Sequence, residues 1–206
     1  MILGLFRLLL RKFITLKTQS KKQHTLSWET CASALEDIFR KVPCHLWISQ
    51  EELEKTLVQA LNIFPEKYKK LEEQIGFLSR HTDDSGFQTQ ETQKVMTLWA
   101  QNGEPPTMLA LMFYALEMFE FDAQEDGLII PCLVAAVLGE VKNNLAYHNN
   151  LHFCKVVFHT MRLIIAHNRI FKETRQLFDK SEIAMLLAAA ASNMAISDVA
   201  CCGGYS

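Results

Sequence analysis

Residues 107–121 read TMLALMFYALEMFEF, and this stretch decides the fold class. Its only charged residues are Glu117 and Glu120, so apolar side chains surround almost every turn of a helix built from it. A helix that is apolar all round belongs in the interior of a protein. The stretch therefore predicts a central, buried helix.

The composition of the whole chain agrees with a helical protein. Of the 206 residues, 49% are hydrophobic and 21% are charged, which excludes intrinsic disorder. The chain has eight glycines and five prolines, too few for the many corners of a β-sandwich or barrel. Its length suits a single domain, or one domain with a tail.

The segments on either side of 107–121 predict a series of helices with short connections. Capping-box patterns at Ser49–Glu52 and Asp179–Glu182 mark two helix starts. No repeat and no strand-like alternation is found, so the predicted fold is all-α, a multi-helix array. The predicted helices are 28–41, Ser49 toward Leu61, Pro65 to Ser79, 90–101, 107–121, Leu128–Val141 with Gly127 as a break and Pro131 in its first turn, 147–168, and Ile183–Ala191.

Three regions are predicted: a basic amphipathic leader at 1–25, an N-terminal helical region at 26–103, and a further helical segment at 104–206. The boundary between the last two falls in the Asn102–Pro106 connection. The charge is divided unevenly between the regions. Residues 1–22 carry six basic residues and no acid, whereas the remainder holds 15 basic residues against 23 acidic ones. An acidic body does not suit a nucleic-acid phosphate track, so no nucleic-acid partner is expected.

The leader begins MILGLFRLLLRKFITL, with Arg7 interrupting its apolar run. Basic residues follow the apolar run instead of preceding it, which is unlike a secretory signal. As a helix it extends about 22 Å, short of a hydrocarbon core of about 30 Å. It is predicted to pack on the body as a terminal helix or to lie on an anionic membrane surface, with organelle transit as a third interpretation. The expected location is cytoplasmic, with peripheral membrane contact as the alternative.

Six cysteines are present, without a CxxC pair. Cys132 and Cys154 lie in apolar surroundings, where a cysteine behaves as a small hydrophobic residue. Free thiols are therefore predicted in preference to disulfides.

The segment with the most chemical specificity is Tyr147-His148-Asn149-Asn150-Leu151-His152. On a helix, His148 and His152 are four residues apart and share a face. Three uses fit the pair: both ligate one metal, both are ordinary core or surface residues, or one ligates a metal while the other transfers protons.

The longer run Asn143–His152, of the form NxxxYHNxxH, resembles the signature of the class I cyclic nucleotide phosphodiesterases. The resemblance covers about residues 107–194 and implies the first part of an all-helical catalytic domain. It implies hydrolysis of a cyclic nucleotide by two divalent metals, Zn²⁺ and Mg²⁺, that activate a bridging water. By the family pattern, His148 is the general acid and His152 a metal ligand. Asn149 and Asn150 would support the ligands or pack beside them.

The chain departs from the family after its second apolar helix. Ser192 and Asn193 stand where the family has an adjacent His-Asp metal pair, and neither is a good ligand for a catalytic metal. Residues 195–206 no longer resemble the family, which predicts a truncated, frame-shifted or naturally reduced sequence. Little or no hydrolase activity is therefore expected.

Two other hypotheses stand beside the phosphodiesterase one. The chain is a non-catalytic helical interaction module, membrane-associated through its leader, or it is a different metal- or haem-binding bundle that uses His148 and His152. The apolar helices 107–121 and 183–191 are expected to lack their usual cover and to promote self-association.

Overall fold

The structure is a computed structural model that describes residues 26–41, 49–80, 89–101, 105–140 and 149–201. These residues form helices and turns without a β-sheet, so the all-α prediction is confirmed. The leader, and with it the predicted membrane or packing role of residues 1–25, lies outside the described residues.

A 3₁₀ turn at Ala123–Glu125 precedes the sixth of the described helices. In chain order they are α1 (Trp28–Lys41), α2 (Gln50–Ile75), α3 (Phe77–Arg80), α4 (Thr89–Gln101), α5 (Met108–Met118), α6 (Asp126–Glu140), α7 (Asn150–Ile170) and α8 (Lys180–Cys201).

Helix α5 occupies the centre of the array. Every residue from Met108 to Leu116 is buried, because α2, α6 and α7 pack around it. Its first turn is capped by Thr107, whose hydroxyl accepts a hydrogen bond from the backbone N–H of Ala110 at 3.1 Å. The predicted central helix is confirmed, and the expectation that residues 107–121 would lack cover is wrong for Met108–Leu116, because other helices of the same chain enclose them.

Helix α2 is longer than predicted. A break was expected before Pro65, but Gln50–Ile75 form one helix with Pro65 inside it. Proline lacks an amide proton and usually kinks or ends a helix. Here the buried residues on both sides of the proline pack into the same core, and tertiary packing outweighs the missing hydrogen bond. These residues are Leu53, Leu57, Ala60, Phe64, Leu71 and Ile75.

Helix α6 also differs from its prediction at the start. Gly127 was expected to stand outside the helix, yet the helix begins at Asp126 and contains both Gly127 and Pro131. The reason is the preceding turn, where Asp122 and Glu125 form a reciprocal capping box. This cap starts the helical hydrogen bonding before the glycine, so the glycine does not act as a break.

Helices α6 and α8 make the most extensive contact in the array. The contact is close at Gly139, where a Cβ atom would lie 3.1 Å from the carbonyl oxygen of Ala191. The capping box at the start of α8 is confirmed, since Asp179 and Glu182 exchange side-chain to backbone hydrogen bonds of 2.8 and 3.0 Å.

Helices from both sides of residue 103 share one hydrophobic core. Trp28 of α1 stacks on Phe64 of α2 with ring centroids 3.3 Å apart, and both meet Phe113 of α5 edge-on. The division into regions 26–103 and 104–206 stays a prediction about organisation. None of the described helices is long and apolar enough to cross a membrane.

Candidate functional site

The histidine motif lies at the start of α7. Tyr147 and His148 lie outside the described residues, so the assignment of His148 as general acid stays a prediction. Asn149 is the N-cap of α7, with an extended backbone at φ −117° and ψ 173°. Its side chain accepts a hydrogen bond of 3.1 Å from the backbone N–H of His152. The helix therefore begins between the two histidines and not at 147 as predicted, which removes the helical-face argument for pairing them.

His152 lies in the first turn of α7 and is half-buried. Its imidazole meets the ring of the adjacent Phe153 edge-on, with ring centroids 5.1 Å apart. Its role as a metal ligand stays a prediction.

Asn150 joins the start of α7 to the start of α5. Its side-chain amide donates to the carbonyl of Pro106 at 3.2 Å and accepts from the thiol of Cys154 at 3.4 Å. The thiol of Cys154 also lies 3.2 Å from the Pro106 carbonyl. These contacts fix the position of the motif relative to α5.

Glu140 is the most unusual polar residue of this region. It ends α6 and is 7% exposed, and its carboxylate accepts a hydrogen bond of 3.1 Å from the backbone N–H of Leu109. Burial raises the pKa of the Glu140 carboxyl to about 7, against the opposing effect of hydrogen bonds from the Leu109 and Met108 amides. The carboxylate thus serves α5 as a second N-terminal cap beside Thr107.

Sequence reasoning missed Glu140. The available signal is that Glu140 is the first charged residue after Asp126, at the end of an otherwise apolar helix. An acidic residue in such a place is either exposed beyond the core or held inside it by specific donors, and sequence does not distinguish the two.

A cavity of about 460 Å³ lies beside Glu140 and Asn150. Lys55 and Lys67 of α2 line it together with polar groups that include Gln59. The cavity therefore has basic and acidic side chains in its wall, next to Asn150 of the histidine motif.

The helix that should complete a metal site is α8. The hydroxyl of Ser192 contacts the carbonyl of Ala189 in its own helix, at 3.5 Å. Nowhere in the described part of the chain do three or more His, Cys, Asp or Glu side chains form a group that could hold a metal ion. The donors that are described at the expected positions, one imidazole and one hydroxyl, do not match a Zn²⁺ or Mg²⁺ centre of the phosphodiesterase kind.

The remaining histidines of α7 have separate environments. His159 is exposed on the surface of α7. Partial desolvation lowers the pKa of its imidazole, and the positive charges of Arg162 and Lys155 lower it further. His167 lies between two phenylalanine rings, with centroids 4.6 Å from Phe171 and 4.1 Å from Phe178. His167 therefore packs the connection from α7 to α8.

The acidic turn before α6 is partly organised by α8. Lys180 forms an ion pair of 2.8 Å with Glu125 and also donates to the carbonyl of Glu120. Residues 122–125 thus form a capped turn that is held to Lys180, the first residue of α8.

Three cysteines in the described residues are free and buried: Cys31, Cys132 and Cys154. Burial raises the pKa of the Cys31 thiol to about 11, of Cys132 to about 12, and that of Cys154 well above its ordinary value. A thiol nucleophile needs a lowered pKa and access to solvent, so these three serve packing. The free-thiol prediction is confirmed for them.

Comparisons with models of known families, with curated proteins and with solved structures give no match to this chain.

Proposed function

We propose that this chain is a non-catalytic helical interaction module whose fold resembles the first part of a cyclic nucleotide phosphodiesterase catalytic domain. One observation carries the proposal, the make-up of α8. At the positions where the family has a His-Asp metal pair, α8 has Ser192 and Asn193. On its outer side it exposes Met185 and Leu186, at 59% and 38%.

The resemblance is supported by the order and packing of three helices. The apolar helix α6 precedes the YHNNLH run, α7 carries the described half of that run, and the alanine-rich α8 packs against both. The motif asparagines hold this arrangement, Asn149 by capping α7 and Asn150 by binding the Pro106 carbonyl. These contacts favour the supporting or packing role that the resemblance implies for the two asparagines.

The chemistry argues against catalysis by these residues. Hydrolysis of a cyclic phosphodiester needs a water ionised at neutral pH and a clamp on the phosphate oxygens, which two metals supply in the family. The clamp needs several imidazole and carboxylate ligands, and His152 is one imidazole. Asn193 brings no negative charge to offset that of a divalent cation. His148 alone would have neither an activated water nor a held phosphate to act on.

Measurement of cyclic nucleotide hydrolysis tests the proposal. We expect the purified full chain, supplied with Zn²⁺ and Mg²⁺, to hydrolyse cyclic AMP and cyclic GMP no faster than its His148→Ala variant. An Asn149→Ser variant is the matched control, because serine keeps the N-cap and the fold while altering the motif. Metal-dependent turnover that is retained in Asn149→Ser and lost in His148→Ala would refute the proposal and favour the hydrolase.

A further inference from the structure

Most of the large apolar side chains left exposed are on α7, α8 and the connector between them. The described residues include seven such side chains, and five of them lie in this part of the chain. We call these five the hairpin patch: Leu163, Ile170, Leu177, Met185 and Leu186, exposed by 66%, 68%, 46%, 59% and 38%. The other two, Val58 and Leu98, lie singly on α2 and α4.

The connector between α7 and α8 turns the chain back on itself. The backbone N–H of Phe178 donates to the side chain of Asn168 at 2.9 Å, and the ring of Phe178 stacks on His167. Leu163 is seven residues before the end of α7 and Met185 five after the start of α8. At 1.5 Å per residue, these distances along the helices are about 10 Å and about 8 Å. The two residues therefore lie in the halves of α7 and α8 that are next to the connector.

Helix α8 is apolar on two sides. Ile183, Ala184, Leu187 and Ala188 are buried against the body, whereas Met185 and Leu186 face outward from the same turns. A helix that is apolar around its circumference is stable in water when both sides are covered. The body of the protein covers one side, which leaves the hairpin patch for a partner.

The charges beside the patch indicate the partner. The exposed charged residues from 169 to 182 are three basic and three acidic ones: Arg169, Lys172, Arg175, Glu173, Asp179 and Glu182. A surface with this balance lacks the basic excess that an anionic membrane attracts. In a two-fold arrangement the same patch meets itself, so a surface with equal numbers of basic and acidic residues is not repelled by its own copy.

We infer that the hairpin patch binds the hairpin patch of a second copy of this chain, so that two α7–α8 pairs form a four-helix interface. The inference rests on the proposed interaction role and names its partner. Four-helix packing of this kind buries the outward side chains of each pair between the two pairs.

Sedimentation equilibrium of the full chain tests the inference. We expect a mass of twice 23.6 kDa at micromolar concentration. Leu163→Glu and Met185→Glu should each raise the dissociation constant by about tenfold or more, because a charge placed in a two-fold interface is buried twice. Val58→Glu is the matched control, since Val58 is 56% exposed on α2, and it should leave the dissociation constant unchanged.

Circular dichroism verifies that each variant keeps its helices, which the exposure of the substituted residues leads us to expect. A wild-type monomer at high micromolar concentration would overturn the inference, and so would equal weakening by Val58→Glu and Leu163→Glu. A monomer without hydrolase activity would refute the dimer and leave the proposed function standing. A dimer with metal-dependent hydrolysis would support the dimer and refute the proposed function.

Discussion

Replacement of Gly139 by leucine is expected to lower the free energy of unfolding by about 3 kcal/mol. At Gly139 even a Cβ atom would lie 3.1 Å from the carbonyl oxygen of Ala191, which is backbone and cannot rotate away. The remaining atoms of a leucine would have to push α8 off α6. Because the contact between α6 and α8 is the most extensive helix contact of the array, the buried alanines of α8 would also lose packing.

Gly127 provides the control within the same helix. A Cβ atom at Gly127 would have nothing within 4 Å, so Gly127→Leu should change stability by less than about 1 kcal/mol, in the stabilising direction. Gly139→Ala should be close to neutral, because a gain in helix propensity of about 1 kcal/mol offsets a tight contact. Urea unfolding followed by circular dichroism measures all three. A Gly139→Leu protein as stable as wild type would contradict the close packing of α6 on α8.

Glu140→Gln is expected to make the protein more stable than wild type by about 3 kcal/mol at pH 8 and by about 1 kcal/mol at pH 5. Burial raises the pKa of Glu140 from its ordinary 4.5 to about 7. The folded protein therefore holds a proton on this carboxyl at pH values where the unfolded chain has lost it. The wild type is penalised increasingly as pH rises from about 4.5 to about 7, and the full penalty remains above that range.

Glutamine suits this test because it has nearly the shape of glutamic acid and its oxygen can still accept from the Leu109 amide. The carboxyl of Glu117, which is exposed, also has a raised pKa, but it is present in both proteins and contributes equally to both pH profiles. Urea unfolding at pH 5, 6, 7 and 8 gives the difference between them. A difference that is constant with pH would show that Glu140 does not titrate in this range and would contradict its burial as a carboxyl.

The parts of the fold that could be predicted from sequence are those that local chemistry decides. The run from Met108 to Leu116 has no charged residue, and the box of Asp179 and Glu182 supplies its own hydrogen-bond partners. The predictions at Pro65 and Gly127 were wrong because a packed core and a preceding capped turn outweighed the local tendency of each residue. Neither influence is visible in the residue itself.

In the candidate site, too, some features could be predicted from the local sequence and others depend on tertiary structure. The sequence predicted a helix over 147–168 that begins at Asn150 in the structure, and the resemblance implied a supporting or packing role for Asn149 and Asn150. It did not predict that Asn149 caps the helix between the two histidines, because cap position depends on backbone angles. Glu140 could not be found either, since its role requires the end of α6 to meet the start of α5. The contact between these two helix ends is decided by tertiary packing.

Zinc binding by equilibrium dialysis tests the central claim most directly, because two-metal hydrolysis requires a stoichiometric metal site and an interaction module does not. The full chain and its His152→Ala variant are dialysed side by side against micromolar zinc. We predict less than one zinc ion per chain, with the same amount bound by both proteins. Two tightly bound ions per chain in the wild type, lost in His152→Ala, would contradict the account and establish a metal centre of the phosphodiesterase kind.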